Sequence, residues 1–222
     1  MLRSAIRGGL SFEDIILYII SALIVVFLTL PIHEWAHAFT AYKLGDKSVK
    51  YSGRLTLNPF AHIDYMGALM IILFGFGWAK PVPVNMNYFK KPKQYMAITA
   101  LAGPLANLVM AFLAFVLRNV AVLLFPSAQF LKFILYYVAQ INISLAVFNL
   151  IPLPPLDGSR ILTAFLSDRV YYKIMAYERY LILAVYFLII TNVLTVPLNL
   201  LCGIVLRGVS YLAYLPFSFF IG

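Results

Sequence analysis

The stretch IILYIISALIVVFLTLPIHEWAHAFTAY, residues 15–42, decides the fold. It is almost uninterrupted apolar sequence, longer than the roughly 20 residues that cross a bilayer as a helix, so it reads as a spanning helix. Near its end, however, it carries His33, Glu34 and His37. An ionisable side chain at the centre of a membrane helix costs roughly 2.5–3.5 kcal/mol on insertion scales, and its presence there is by default a sign of function. Positions i and i+4 share a helix face, so His33 and His37 converge on one point with Glu34 alongside. This is the H-E-x-x-H zinc pattern, in which two imidazoles hold Zn²⁺ and the glutamate after the first takes a proton from water. A chance match on a helix face is the alternative, and a chain with only 3 histidines makes it a poor one. Pro31 removes a backbone hydrogen bond two residues before His33 and kinks the helix where metal and water must enter.

The rest of the chain agrees with a membrane setting. A content of 63% hydrophobic and 11% charged residues over 222 positions excludes an ordinary globular protein. The net charge of +9 would suit nucleic acid, but the basic residues are scattered over short loops, as in cytoplasmic loops of membrane proteins. No nucleic-acid partner is expected. Cys202 is the single cysteine, which rules out an intrachain disulfide or a Cys-rich zinc site. The first apolar run is too long for a cleaved signal sequence and lacks a small-residue cleavage site, so it should remain as a span.

Outward from that run, residues 1–13 form a short tail, and Glu13 and Asp14 suit a helix N-terminus. Residues 43–64 bring Lys43, Lys47, Lys50 and Arg54, and alternation around Gly53 predicts a small β-hairpin near the cytoplasmic face. Its edge, residues 47–57, would capture an unwound peptide by β-augmentation. Residues 65–79 are apolar but short, with Gly67, Gly75 and Gly77, which fits a re-entrant segment. Further spans are expected at 95–125, 129–150 and 180–201, and the apolar tail 202–222 either crosses again or lies at the interface. The reading is an all-α polytopic membrane protein with about five to six membrane segments and one small hairpin. Residues 1–222 form one domain, its core at about 15–175.

A catalytic zinc normally has three protein ligands and one open position. Asp157 is the first choice for the third: a carboxylate in a proline-stiffened turn at the end of a span, where an unpaired charge is expensive. It could equally cap the helix beginning at Gly158, and the two roles are compatible. His62 is the rival ligand. Gly103 and Asn107 have the four-residue spacing of close helix packing, and Asn107 is also a candidate near the active site.

H-E-W-A-H in a membrane helix, followed far downstream by Asn149-x-x-Pro152-x-Pro154-Pro155-x-Asp157-Gly158, resembles the site-2 protease family of intramembrane zinc metalloproteases, M50. Gly45-Asp46, Gly53-Arg54-Leu-Thr-Leu-Asn58-Pro59, His62-Ile-Asp64 and Gly77-Trp-Ala-Lys-Pro81-Val-Pro-Val-Asn85 further resemble its small members, which lack PDZ and CBS domains. The resemblance implies a zinc held by His33, His37 and Asp157, with Glu34 as general base and Asn149 binding the scissile carbonyl or its oxyanion. It implies peptide-bond hydrolysis in or near transmembrane segments of membrane proteins, within the lipid bilayer, and leaves room for a regulatory membrane partner. The basic loops put the active site on the cytoplasmic side of the cell membrane. Two rivals stand beside it: a zinc-bound protein that holds transmembrane helices without cutting them, and a metal transporter lined by His33, His37, His62 and Asp64.

Overall fold

In a computed structural model the chain is a bundle of membrane-length helices, described over residues 11–74, 77–167 and 193–220, with scattered positions between 168 and 192. The first helix, α1, runs unbroken over Phe12–Leu44. Ser11 caps it reciprocally: its hydroxyl accepts from the Asp14 N–H, and the Asp14 carboxylate accepts from the Ser11 N–H, each at 3.2 Å. Val25–Thr29 is a π-helical turn, with the Leu30 N–H reaching back to the Val25 carbonyl. Its cause lies next door, because Pro31 has no N–H to give and its ring would crowd the preceding turn. At about 1.5 Å per residue α1 is about 50 Å long, against a hydrocarbon core of about 30 Å. Gly45, at φ 123°, ends it.

The segment after α1 corrects the expected hairpin. Among the described residues there is no β-strand, and Ser48–Tyr51 forms a helical turn, α2. Fully buried Asp46 sets it: its carboxylate accepts from the backbone N–H and hydroxyl of Ser48 and, at 2.7 Å, from the distant Asn85 N–H. Side-chain bonds to nearby backbone compete with ladder formation, and here they prevail. Val49 is buried beside Ala38 and Ala41 of α1, so its apolar character reflects one buried helical position, not strand alternation. A second short helix, α3 (Pro59–His62), is capped by Asn58, whose side chain accepts from the Phe60 N–H at 3.1 Å.

Helix α4, Tyr65–Phe74, has 10 residues and is too short to span. Tyr18 of α1 donates to the carbonyl of its fully buried Ile71 at 3.2 Å. The chain then comes back against it. A Cβ on Gly67 would overlap the Trp78 carbonyl, and one on Gly77 would overlap the Gly67 carbonyl, so the two strands of chain touch only because both positions are glycine. The Lys80 N–H closes the excursion on the His62 carbonyl at 2.8 Å.

Helix α5 (Pro92–Leu124) is the centre of the bundle, packing on α1, on α6 (Gln129–Asn149), on α7 (Asp157–Leu162) and on α8 (Thr195–Tyr214). Small buried residues, Ala22, Ala111, Ala114 and Ala139, let these helices approach closely. Four helices among the described residues have spanning length: Phe12–Leu44, Pro92–Leu124, Gln129–Asn149 and Val196–Phe217. With the short α4 added, the described residues hold five apolar segments, the lower end of the five to six expected. The expected span at 180–201 lies largely outside the described residues, and much of the expected tail is α8 itself. Asn119 of α5 ties α8 down by donating to the Ala213 carbonyl at 3.0 Å.

Candidate active site

On α1, one turn apart, the imidazoles of His33 and His37 face each other with their Nε2 atoms 3.1 Å apart. Both rings and the Glu34 side chain are buried. Asp157, the first residue of α7, brings Oδ2 to 3.5 Å from His33 Nε2 and 3.2 Å from His37 Nε2. Glu34 Oε1 stands 4.0 Å from His33 Nε2, beside this point.

Asp157 arrives there because the chain turns tightly after α6. The Leu153 N–H bonds the Ile151 carbonyl at 2.8 Å, and the Leu156 N–H bonds the Leu153 carbonyl at 3.0 Å. Gly158 lies so close to the carbonyls of Leu150 and Ile151 that a Cβ would overlap both. The Asp-Gly pair therefore works as a unit: the glycine lets α7 start against the end of α6, and that start aims the aspartate at α1.

Helix α5 orients the rings. His37 Nδ1 lies 2.7 Å from the Thr99 carbonyl and must donate to it, which leaves the Nε2 lone pair directed at the shared point. One turn on, Gly103 lies against both imidazoles, and a Cβ there would overlap them. The Gly103 spacing thus serves the histidines rather than helix packing alone.

These three donors suit a metal. Two nitrogens and one carboxylate oxygen, all within 4.8 Å of one another, form the metal-holding group found among the described residues. With zinc–nitrogen bonds near 2.0–2.1 Å, tetrahedral ligands stand about 3.3 Å apart, which the observed 3.1, 3.5 and 3.2 Å match. The donor set is the His, His, carboxylate type that keeps a fourth position open.

A cavity of about 320 Å³ opens onto this point, lined among others by Glu34, Trp78, Val82, Asn149, Asp157 and Arg160. Asn149 therefore reaches the site as expected. Asn107 does not line the cavity and is buried in the bundle. His62, the rival ligand, is buried elsewhere with Nε2 on the Thr56 carbonyl at 2.8 Å, and Asp64 accepts from the Gly67 N–H at 2.9 Å. Neither belongs to an ion path with His33 and His37. Sequence reasoning missed Thr99 and the lining contributed by residues 77–84. The recurrence Thr99, Gly103, Asn107 at four-residue intervals was the available signal for the α5 face.

The family model for peptidase family M50 matches residues 125–194. The "Putative zinc metalloprotease YwhC" of Bacillus subtilis is 42% identical over 169 residues, covering 73% of this chain and 75% of that protein. This chain belongs to peptidase family M50. Another relative, the "Putative zinc metalloprotease Rip2" of Mycolicibacterium smegmatis, is 31% identical over 177 residues, 75% of this chain and 65% of its own length. The "Putative zinc metalloprotease MJ0611" of Methanocaldococcus jannaschii is 33% identical over 153 residues, 67% of this chain and 72% of that one. No solved structure matches the chain.

Proposed function

We propose that this M50 chain is an intramembrane zinc endopeptidase, acting as one integral membrane domain that hydrolyses peptide bonds within or beside transmembrane segments of other proteins. One observation carries the reading: His33, His37 and Asp157 converge beside Glu34, at a cavity, on a helix of membrane-spanning length.

In this reading His33 Nε2, His37 Nε2 and Asp157 Oδ2 hold the metal. Zinc, when bound, supplies a Lewis acid that polarises the scissile carbonyl and makes water acidic enough to ionise near neutral pH. Glu34 takes the proton from the attacking water and passes it to the leaving amine. Asn149 donates a hydrogen bond to the oxygen that becomes negative. Thr99 and Gly103 keep the His37 ring oriented and leave room for both imidazoles. A substrate helix hides its backbone and must unwind before it can be cut. The capture edge expected at residues 47–57 is a helical turn, so the chain at residues 77–84, which lines the cavity, is the surface along which an unwound substrate would lie.

The ends of α1 and α6 and the start of α5 all lie at the site's end of the bundle. In sequence, Lys43, Lys47, Lys50 and Arg54 close or follow α1, and Lys80, Lys90, Lys91 and Lys93 precede or open α5. By charge bias that end faces the cytoplasm, and the protein resides in the cell membrane.

The test is cleavage of tagged single-span substrates in liposomes, with the products mapped by mass spectrometry. Cuts within the hydrophobic segment or a few residues from its cytoplasmic edge are expected. Cuts confined to soluble, unfolded regions would refute the intramembrane assignment.

A further inference from the structure

With His33 and His37 as ligands, the two rings differ in how they are supported. His37 Nδ1 is held by the Thr99 carbonyl at 2.7 Å. Among the described residues, His33 Nδ1 is buried without a hydrogen-bonding partner, and so are both side-chain polar atoms of Asn107, Nδ2 and Oδ1. Buried polar groups are nearly always paired, and such orphans call for an explanation.

The α1–α5 contact places these atoms on neighbouring turns. Thr99 meets His37, and Gly103, one turn on, lies against His33 Cε1, the carbon bonded to Nδ1. Asn107 occupies the next turn of the same α5 face. On α1, the turn before His33 presents Thr29, whose hydroxyl is already engaged with the Val25 carbonyl. By helical register Asn107 is thus the next polar side chain that α5 brings toward the His33 turn of α1. It is absent from the cavity lining, so it does not reach substrate.

We infer that Asn107 is the positioning residue for His33, its Oδ1 accepting a hydrogen bond relayed from His33 Nδ1–H through one buried water. A buried water needs two to four polar partners, and the two Asn107 atoms with His33 Nδ1 provide a set of three. The relay keeps the proton on Nδ1 and the Nε2 lone pair toward the metal, as Thr99 does for His37. The inference rests on the zinc reading of the site.

The test is zinc affinity of the full chain in detergent, by competition with a chromogenic chelator, for wild type, Asn107→Leu and Asn107→Asp. Outer partners of metal-bound histidines are worth about 10–100-fold in affinity, so the leucine variant should bind zinc that much more weakly. The aspartate variant keeps an acceptor and should bind as tightly as wild type or more so. A packing role gives the opposite order, with leucine tolerated and aspartate not. A folded leucine variant with wild-type affinity, or an aspartate variant that loses zinc, overturns the inference. Circular dichroism and elution behaviour report folding. If leucine fails to fold, aspartate alone decides, and an aspartate variant that fails to fold also counts against, because its carboxylate would be buried without the His33 partner. A wild type without zinc affinity would overturn the zinc reading itself, a result distinct from either variant's behaviour.

Discussion

Two parts of this molecule draw histidine and aspartate into the bundle, and they use them in opposite ways. In the first, His33, His37 and Asp157 direct Nε2, Nε2 and Oδ2 at one another, 3.1 to 3.5 Å apart, with Glu34 beside them. In the second, between α1 and α4, Asp46 and His62 are turned toward backbone: Asp46 accepts from Ser48 and Asn85, and His62 meets the Thr56 carbonyl. His33, His37, Asp46 and His62 are buried and Asp157 is partly so, and burial alone does not distinguish the two sets. The difference is whether the side-chain atoms face backbone partners, which fixes a loop, or one another, which is the arrangement a shared ion requires.

The largest effect that would sharpen this contrast comes from the proposed ligands. Asp157→Ala should abolish both zinc retention and cleavage, measured by metal analysis and substrate turnover, while the helical content is kept. A zinc-loaded Asp157→Ala would break the comparison at once.

Next comes Gly103→Ala. Its Cβ would overlap both imidazoles, so zinc affinity should fall by at least about 10-fold. The control is Gly203→Ala on α8, where a Cβ meets nothing within 4 Å. Replacing a helical glycine there should leave zinc affinity unchanged and stabilise the chain by up to about 1 kcal/mol in thermal unfolding.

Smaller again is the loop side of the contrast. Asp46→Ala removes the charged acceptor shared by Ser48 and Asn85 and should destabilise the fold by about 1–3 kcal/mol while leaving zinc stoichiometry unchanged. His62→Ala should cost about 1 kcal/mol through its lost bond to Thr56, again with full zinc content. Loss of zinc in a folded His62→Ala would restore His62 as a ligand.

Much of the candidate site was legible in the sequence because its residues obey local rules. His33 and His37 are one helical turn apart, and Asp157 stands in a Pro-rich turn that punctuates the end of a span. The long helices were legible from apolar length. The loops were not, since the alternation around Val49 is shared by a strand and by a four-residue helical turn, and Asp46, which decides between them, bonds to Asn85 far along the chain. The start of the last helix was not legible because residues 180–222 are apolar with little punctuation, although Pro197, in the first turn of α8, signals a helix start. Thr99 was invisible for a different reason: it acts through a backbone carbonyl, which has no signature in residue type.

The most direct test of the central claim is a comparison of wild type with Glu34→Gln in liposomes carrying a single-span substrate, with bound zinc quantified in both. Zinc retained by both proteins, with cutting lost only in Glu34→Gln, is the expected result. Equal cutting by the two proteins would contradict the assignment of Glu34 as the base, and a zinc-loaded wild type that captures substrate helices without ever cutting them would contradict the protease reading itself.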